Sequence, residues 1–142
     1  MRISSLLSAL LKKMRFSIIK KSKIHRKARI YSGSHIVDSS IGKYTYLSYD
    51  NTVIKTSIGN FCSIASGCII GGASHPLDWV STSPIFYKGK NPFRKHFSNH
   101  DYNEYKKTII ENDVWIGSRC LIKSGIKISN GAVIGMGSVL TK

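Results

Sequence analysis

The 142-residue sequence predicts an all-β chain wound as a parallel solenoid. Three features predict it. An aliphatic residue recurs at every sixth position, a small residue follows it four places later, and glycine often follows it directly. A period of six fits neither the 3.6 repeat of a helix nor the two-residue repeat of a flat strand. It fits short strands with a sharp corner every six residues, three strands closing a triangle of eighteen.

Taken in order, the chain begins with a basic arm over residues 1–23. Ten of the 22 Lys and Arg lie in the first thirty positions, and the first acidic residue is Asp38. Leu6, Leu7, Leu10, Leu11 and Met14 recur at helical spacing, and Lys12, Lys13, Arg15, Lys20, Lys21 and Lys23 follow closely. This reads as a short amphipathic helix suited to an anionic membrane surface. The competing reading packs the leucines on the chain's own coils and leaves the lysines solvated. No apolar run approaches 18 residues, so no membrane span is expected. The first residues lack the h-region and cleavage site of a secretory signal. Cys62, Cys68 and Cys120 form no C-x-x-C pair and read as reduced core thiols. The expected location is cytoplasmic, with the arm holding the protein peripherally at the inner membrane surface. A net charge of +15 also suits nucleic acid, but no recognition motif is present, and none is expected as a partner.

The coils follow. Ile24, Ile30 and Ile36 form the first triplet, Ile41, Leu47 and Val53 the second, and Ile58, Ile64 and Ile70 the third; each begins five residues after the last. After a gap the series returns as Ile110, Ile116, Ile122, Ile128, Ile134 and Leu140, six apart throughout. The small column includes Ala28, Ser34, Ser40, Thr45, Ser57, Cys62, Cys68 and Cys120. The aliphatics would fill the axis of a triangular prism, with coils about 4.8 Å apart. The small residues would sit where three walls converge, which accounts for the cysteines without redox or metal chemistry. Glycines such as Gly42, Gly59, Gly71, Gly117 and Gly135 would serve the corners.

The pattern [Ile/Leu/Val]-Gly-x-x-[small]-x resembles the repeat of the hexapeptide-repeat acetyltransferase family, whose fold is a left-handed parallel β-helix. The resemblance covers about residues 24–142 and makes residues 1–142 a single domain. A long loop, about 72–108, interrupts the repeat. It carries Trp79, Phe86, Tyr87, Phe93, Phe97, Tyr102 and Tyr105 among His75, His96 and His100. A solvated linker would not hold so many aromatics, so the loop is expected to wall a pocket or reach a neighbouring subunit.

The stretches "SIASGCIIGGASHPLDWVSTSPIF" and "IENDVWIGSRCLIKSGIKISNGAVIGMGSVLTK" resemble the members that modify bacterial surface polysaccharides or xenobiotics such as chloramphenicol. The resemblance implies a homotrimer with acetyl-CoA as co-substrate and no metal. It makes His75 the catalytic base that deprotonates an acceptor hydroxyl. Asp78 or a backbone carbonyl would orient the ring. The resemblance also implies a cofactor edge of Gly117, Ser118, Met136, Thr141 and Lys142. Trp115 beside it either walls the groove or is a surface corner residue. The acceptor reads as a sugar hydroxyl of a surface-polysaccharide precursor, with a chloramphenicol-type hydroxyl as the alternative. Zinc ligation by His75, His96 and His100 is set aside because the last two lie deep in the insert. The family continues beyond "VLTK" with an Asp-x-Pro loop, a "GNPA"-like stretch and a capping helix. Since the sequence stops at Lys142, an inactive trimeric remnant is a further expectation.

Overall fold

A computed structural model describes residues 15–142 and shows an all-β prism. Residues 1–14, which carry the leucine face of the expected arm, lie outside the described residues. The chain visits three walls in rotation, and every strand pairing between neighbouring coils is parallel. The first wall has six strands and the other two have five each. The first runs Ile18–Lys20, His35–Val37, Thr52–Ile54, Ile69–Gly71, Leu121–Ile122 and Val139–Leu140. The second holds Lys23–Ile24 through Lys127–Ile128, and the third Arg29–Ile30 through Val133–Ile134.

The guide aliphatics stack in register down the axis: Ile36, Leu47, Val53, Ile64, Ile70 and Ile116 are each 0% exposed. Burying such a side chain contributes roughly 1.5–3 kcal/mol, so the axis dominates the stability of the prism. Ile24, Ile30, Ile134 and Leu140, near its two ends, are only partly buried.

Three details differ from the sequence expectation. The prism begins at Ile18, whose N–H donates to the Ser34 carbonyl at 2.8 Å. Lys20, Lys21 and Lys23 are therefore part of the first coil, and Arg15 pairs with Asp50 at 3.0 Å. The coil length varies as the five-residue steps between triplets imply, but the inward residue at the short corner differs from the one expected. Lys23 pairs with Ser40, seventeen residues on, whereas Ile109 pairs with Lys127, eighteen on. The shorter coils lose their residue at the corner between the first and second walls, where Lys21, Asp38 and Lys55 take left-handed φ values of 49°, 48° and 47°. Losing one residue shifts which side chain faces inward. The buried corner residues there are Ser39 and Thr56, while Ser40 and Ser57 point outward and share a 3.0 Å hydrogen bond.

The third difference concerns the small column, which is polar as well as small. Corner N–H groups fall outside the strand ladders and need other partners. Ser34 Oγ, Ser39 Oγ, Thr45 Oγ1 and Asn51 Oδ1 accept from the N–H groups of Asn51, Thr56, Cys62 and Cys68, each one coil further on. From the third coil the thiols act in the opposite sense. Cys62, Cys68 and Cys120 donate to the carbonyls of Glu111, Gly117 and Gly135. Burial pushes the Cys62 and Cys68 thiols up from their ordinary value, so they stay protonated donors. Gly42, Gly59 and Gly117 need no unusual φ. A Cβ at Gly117 would lie 2.5 Å from the Met136 nitrogen, so close approach of the next coil excludes a side chain there.

The insert spans 72–107, between the strands Ile69–Gly71 and Thr108–Ile110. Its root is clipped by the Ser74 N–H donating to the Glu104 carbonyl at 2.7 Å. The loop builds a small core of its own. Trp79 packs edge-on against Tyr87, His100 and Tyr102, and Phe86 against Phe97. Tyr87 is only 2% exposed. Among the described residues no helix is long and apolar enough to cross a membrane.

Candidate active site

The loop leaves the prism at the corner between the first and second walls and turns back over it. Between loop and coils lies a cavity of ≈ 920 Å³. His75, Asp78, Trp79 and Tyr102 line it from the loop, and Lys106 from the loop's return. Lys123, Ser124, Lys127, Thr141 and Lys142 line it from the coils. Four lysines face one aspartate across this space. Lys127 is engaged by Glu111 at 2.7 Å. The hydrogen bond from Lys127 and another from the Asn130 N–H hold the Glu111 carboxyl below the usual carboxylate range. Among the described residues Lys106, Lys123 and Lys142 form no ion pair, so the cavity offers positive charge to an anionic ligand.

The His75 ring is fixed by one short contact, Nδ1 to the Thr82 carbonyl at 2.8 Å. A carbonyl only accepts, so Nδ1 carries the proton and donates. The neutral ring then has its lone pair on Nε2, which makes no hydrogen bond among the described residues. The Tyr87 hydroxyl stands 3.4 Å from Nδ1. Burial raises the Tyr87 phenol above its ordinary range, which keeps it protonated beside the ring. Asp78 lines the same cavity, and among the described residues no hydrogen bond joins it to the ring. Of the two ring partners the sequence left open, Asp78 and a backbone carbonyl, the contact is made by a backbone carbonyl, that of Thr82. The loop turn between positions 75 and 82 sets this contact, and no residue spacing signals it.

The other expected site residues divide between two corners. Thr141 and Lys142 follow the last strand of the first wall and share the cavity with His75. Gly117, Ser118 and Met136 lie at the next corner, between the third and first walls. The Gly137 N–H donates there to the Ser118 carbonyl at 2.8 Å, and Met136 is 81% exposed. Trp115 projects from the third wall, 55% exposed, in register with Ser63 and Val133. Within one chain, these four residues do not line the His75 cavity. The three loop histidines also have separate partners: His96 Nδ1 meets the Tyr87 carbonyl at 2.7 Å, and His100 packs on Trp79. Among the described residues no group of three or more His, Cys, Asp or Glu is placed to hold a metal ion.

Stacked aliphatics, regular corners and three parallel walls define a parallel β-helix of hexapeptide repeats, and its likeness to solved acetyltransferase structures matches the left-handed form. Residues 107–142 match the model of the hexapeptide repeat of succinyl-transferase. The chain is 41% identical over 120 residues to a chloramphenicol acetyltransferase of Klebsiella aerogenes, covering 79% of this chain and 55% of that protein. It is 38% identical over 115 residues to one from Agrobacterium fabrum, covering 79% and 54%. It thus spans about half the length of these relatives. Among solved structures, an N-acyltransferase from Bacillus cereus in complex with dTDP and 3-hydroxybutyryl-CoA superposes with a TM-score of 0.60. That match is 19% identical and covers 95% of this chain and 78% of the other. A hexapeptide-repeat-containing acetyltransferase from Vibrio cholerae, complexed with acetyl coenzyme A, gives a TM-score of 0.55 at 22% identity, covering 97% and 67%. At these identities the structural likeness is one of fold.

Proposed function

We propose that the chain is an acyltransferase that moves an acetyl group from acetyl-CoA to an acceptor hydroxyl, with His75 as general base. The observation that carries this reading is the His75 ring, held as the Nδ1–H tautomer by the Thr82 carbonyl at 2.8 Å on the wall of a lysine-lined cavity. Nε2 takes the hydroxyl proton as the acceptor oxygen attacks the thioester carbonyl. The C–S bond then breaks, and the imidazolium returns the proton to the departing CoA thiolate. No covalent enzyme intermediate is required. The Thr82 carbonyl orients the ring and stabilises the imidazolium.

Lys142, with Lys123 and Lys106, supplies the point charges that CoA phosphates require. Trp115, Gly117, Ser118 and Met136 would meet the cofactor from a neighbouring copy. That division between corners supports a homotrimer. So does the apolar stripe of Ile69, Leu121 and Val139, stacked in register on the outer face of the first wall and 50%, 43% and 63% exposed. The location belongs to the same proposal: cytoplasmic, with residues 1–23 in contact with anionic lipid.

A sugar hydroxyl is the acceptor we propose. The identity to chloramphenicol acetyltransferases favours an antibiotic hydroxyl as the second reading. Labelled acetyl-CoA, offered with surface-glycan precursors and with chloramphenicol, tests both. His75→Ala should lose about 10²–10⁴ in rate, the usual yield of a positioned base, and still bind acetyl-CoA. A fully active variant would remove His75 from the mechanism.

A further inference from the structure

Ser124 is the one buried side-chain hydroxyl among the described residues whose oxygen has no hydrogen-bond partner. It is 8% exposed and lines the cavity that holds His75. Both facts set it apart from its counterparts in the repeat. Two residues after other guide aliphatics stand Asn112, Asn130 and Met136, all exposed at the surface. Ser124 is covered instead, where Lys106 of the returning loop packs over Gly125. Hydroxyls buried at the corners elsewhere in the prism bond to neighbouring coils. A buried hydroxyl left unpaired destabilises the fold, and the neighbouring cavity is where a partner would be found.

The register states what kind of partner. Ile70, Ile122 and Leu140 pair across three successive strands of the first wall. Two residues further on, Gly72, Ser124 and Lys142 therefore succeed one another along the same corner, about 4.8 Å apart. His75 follows Gly72 by three residues. Along this corner, Ser124 thus stands between Gly72, at the root of the loop that carries His75, and the cation Lys142. A ligand with an anionic end at Lys142 and a reacting carbonyl at His75 would cross Ser124 with its middle.

We propose that Ser124 is a ligand-binding residue whose hydroxyl donates a hydrogen bond to an amide carbonyl of the CoA arm. This rests on the acyltransferase reading above. Ser124→Ala deletes the hydroxyl without adding bulk, and Ser124→Thr restores it. Titration calorimetry with acetyl-CoA and with free CoA, together with thermal melts without ligand, tests the role. S124A should bind both ligands about 3- to 10-fold more weakly, the worth of one neutral hydrogen bond. Its ligand-free melting temperature should stay the same or rise, because the unpaired hydroxyl is gone. S124T should recover the affinity. A purely structural serine would give the opposite pattern, a lower melting temperature with unchanged affinity, and that result overturns the proposal. A loss confined to acetyl-CoA would also overturn it, since it would move the contact from the arm to the thioester. Wild-type protein that binds neither ligand would sink the acyltransferase reading and take this inference with it. That outcome is distinct from S124A keeping full affinity, which removes only the role of Ser124.

Discussion

Thr45→Val separates size from polarity in the small corner column. Thr45 is 1% exposed, and its Oγ1 donates to the Gly59 carbonyl at 2.7 Å and accepts from the Cys62 N–H at 2.9 Å. Valine has nearly the same shape and can do neither. The carbonyl and the N–H would both be stranded at the corner of the next coil, and each such loss costs about 1–3 kcal/mol. The extra methyl of valine returns roughly 0.8 kcal/mol. The net loss should be about 3 kcal/mol, the middle of that range, or roughly 6–12 °C in melting temperature for a chain near this length. Thr45→Ser keeps both hydrogen bonds and loses one methyl, about 1 kcal/mol. Thermal unfolding followed by circular dichroism should therefore rank wild type above Thr45→Ser and Thr45→Ser above Thr45→Val. If valine proves harmless and serine worse, the column selects size alone and the polar ladder contributes nothing.

Glycine at the corners allows a paired comparison. Gly117→Ala should lower the melting temperature, since its Cβ would meet the Met136 nitrogen at 2.5 Å, while Gly135→Ala, with its nearest neighbour at 3.9 Å, should be tolerated; equal melting temperatures would refute close approach as the cause. Glu111→Gln should narrow the acid dependence of stability. The folded carboxyl sits below its unfolded value because of Lys127 and the Asn130 N–H, so its contribution is complete above the unfolded value and is lost as pH falls through the folded one. The difference in urea midpoint between wild type and Glu111→Gln should therefore shrink towards acid, and a gap that widens there would contradict the assignment. Cys62, Cys68 and Cys120 are buried, and burial raises the first two thiols; a thiol reagent at neutral pH should label none of them until urea is added. Sedimentation should find a trimer at micromolar concentration, and a well-folded monomer would refute the shared-cleft reading.

The guide aliphatics made the prism legible in advance because the hexad is a local rule. Every sixth side chain must face the axis whatever the rest of the chain does, so Ile24 through Leu140 are visible as a pattern of residue types. The interruption after Ile70, and the histidine at it, are visible for the same reason. What each corner does depends on the coil above it. Counting hexads puts Ser40 and Ser57 in the inward column, whereas the structure buries their neighbours Ser39 and Thr56. One residue fewer at the corner decides that, through the left-handed turns at Lys21, Asp38 and Lys55. The site shows the same division. His75 could be singled out from its position, but the Thr82 carbonyl that fixes its tautomer comes from a loop turn with no period to read. Ser124 has no motif either; it became a buried, unpaired hydroxyl only when a loop rooted more than fifty residues earlier folded back over its coil. Gly117, Ser118 and Met136 look continuous with Thr141 and Lys142 along the chain, yet the triangular section sets them at different corners. Periodicity determines what lies on the axis, because that depends on each residue's own hexad position. The contents of a cavity depend on which distant segments meet there, and the tertiary structure decides that.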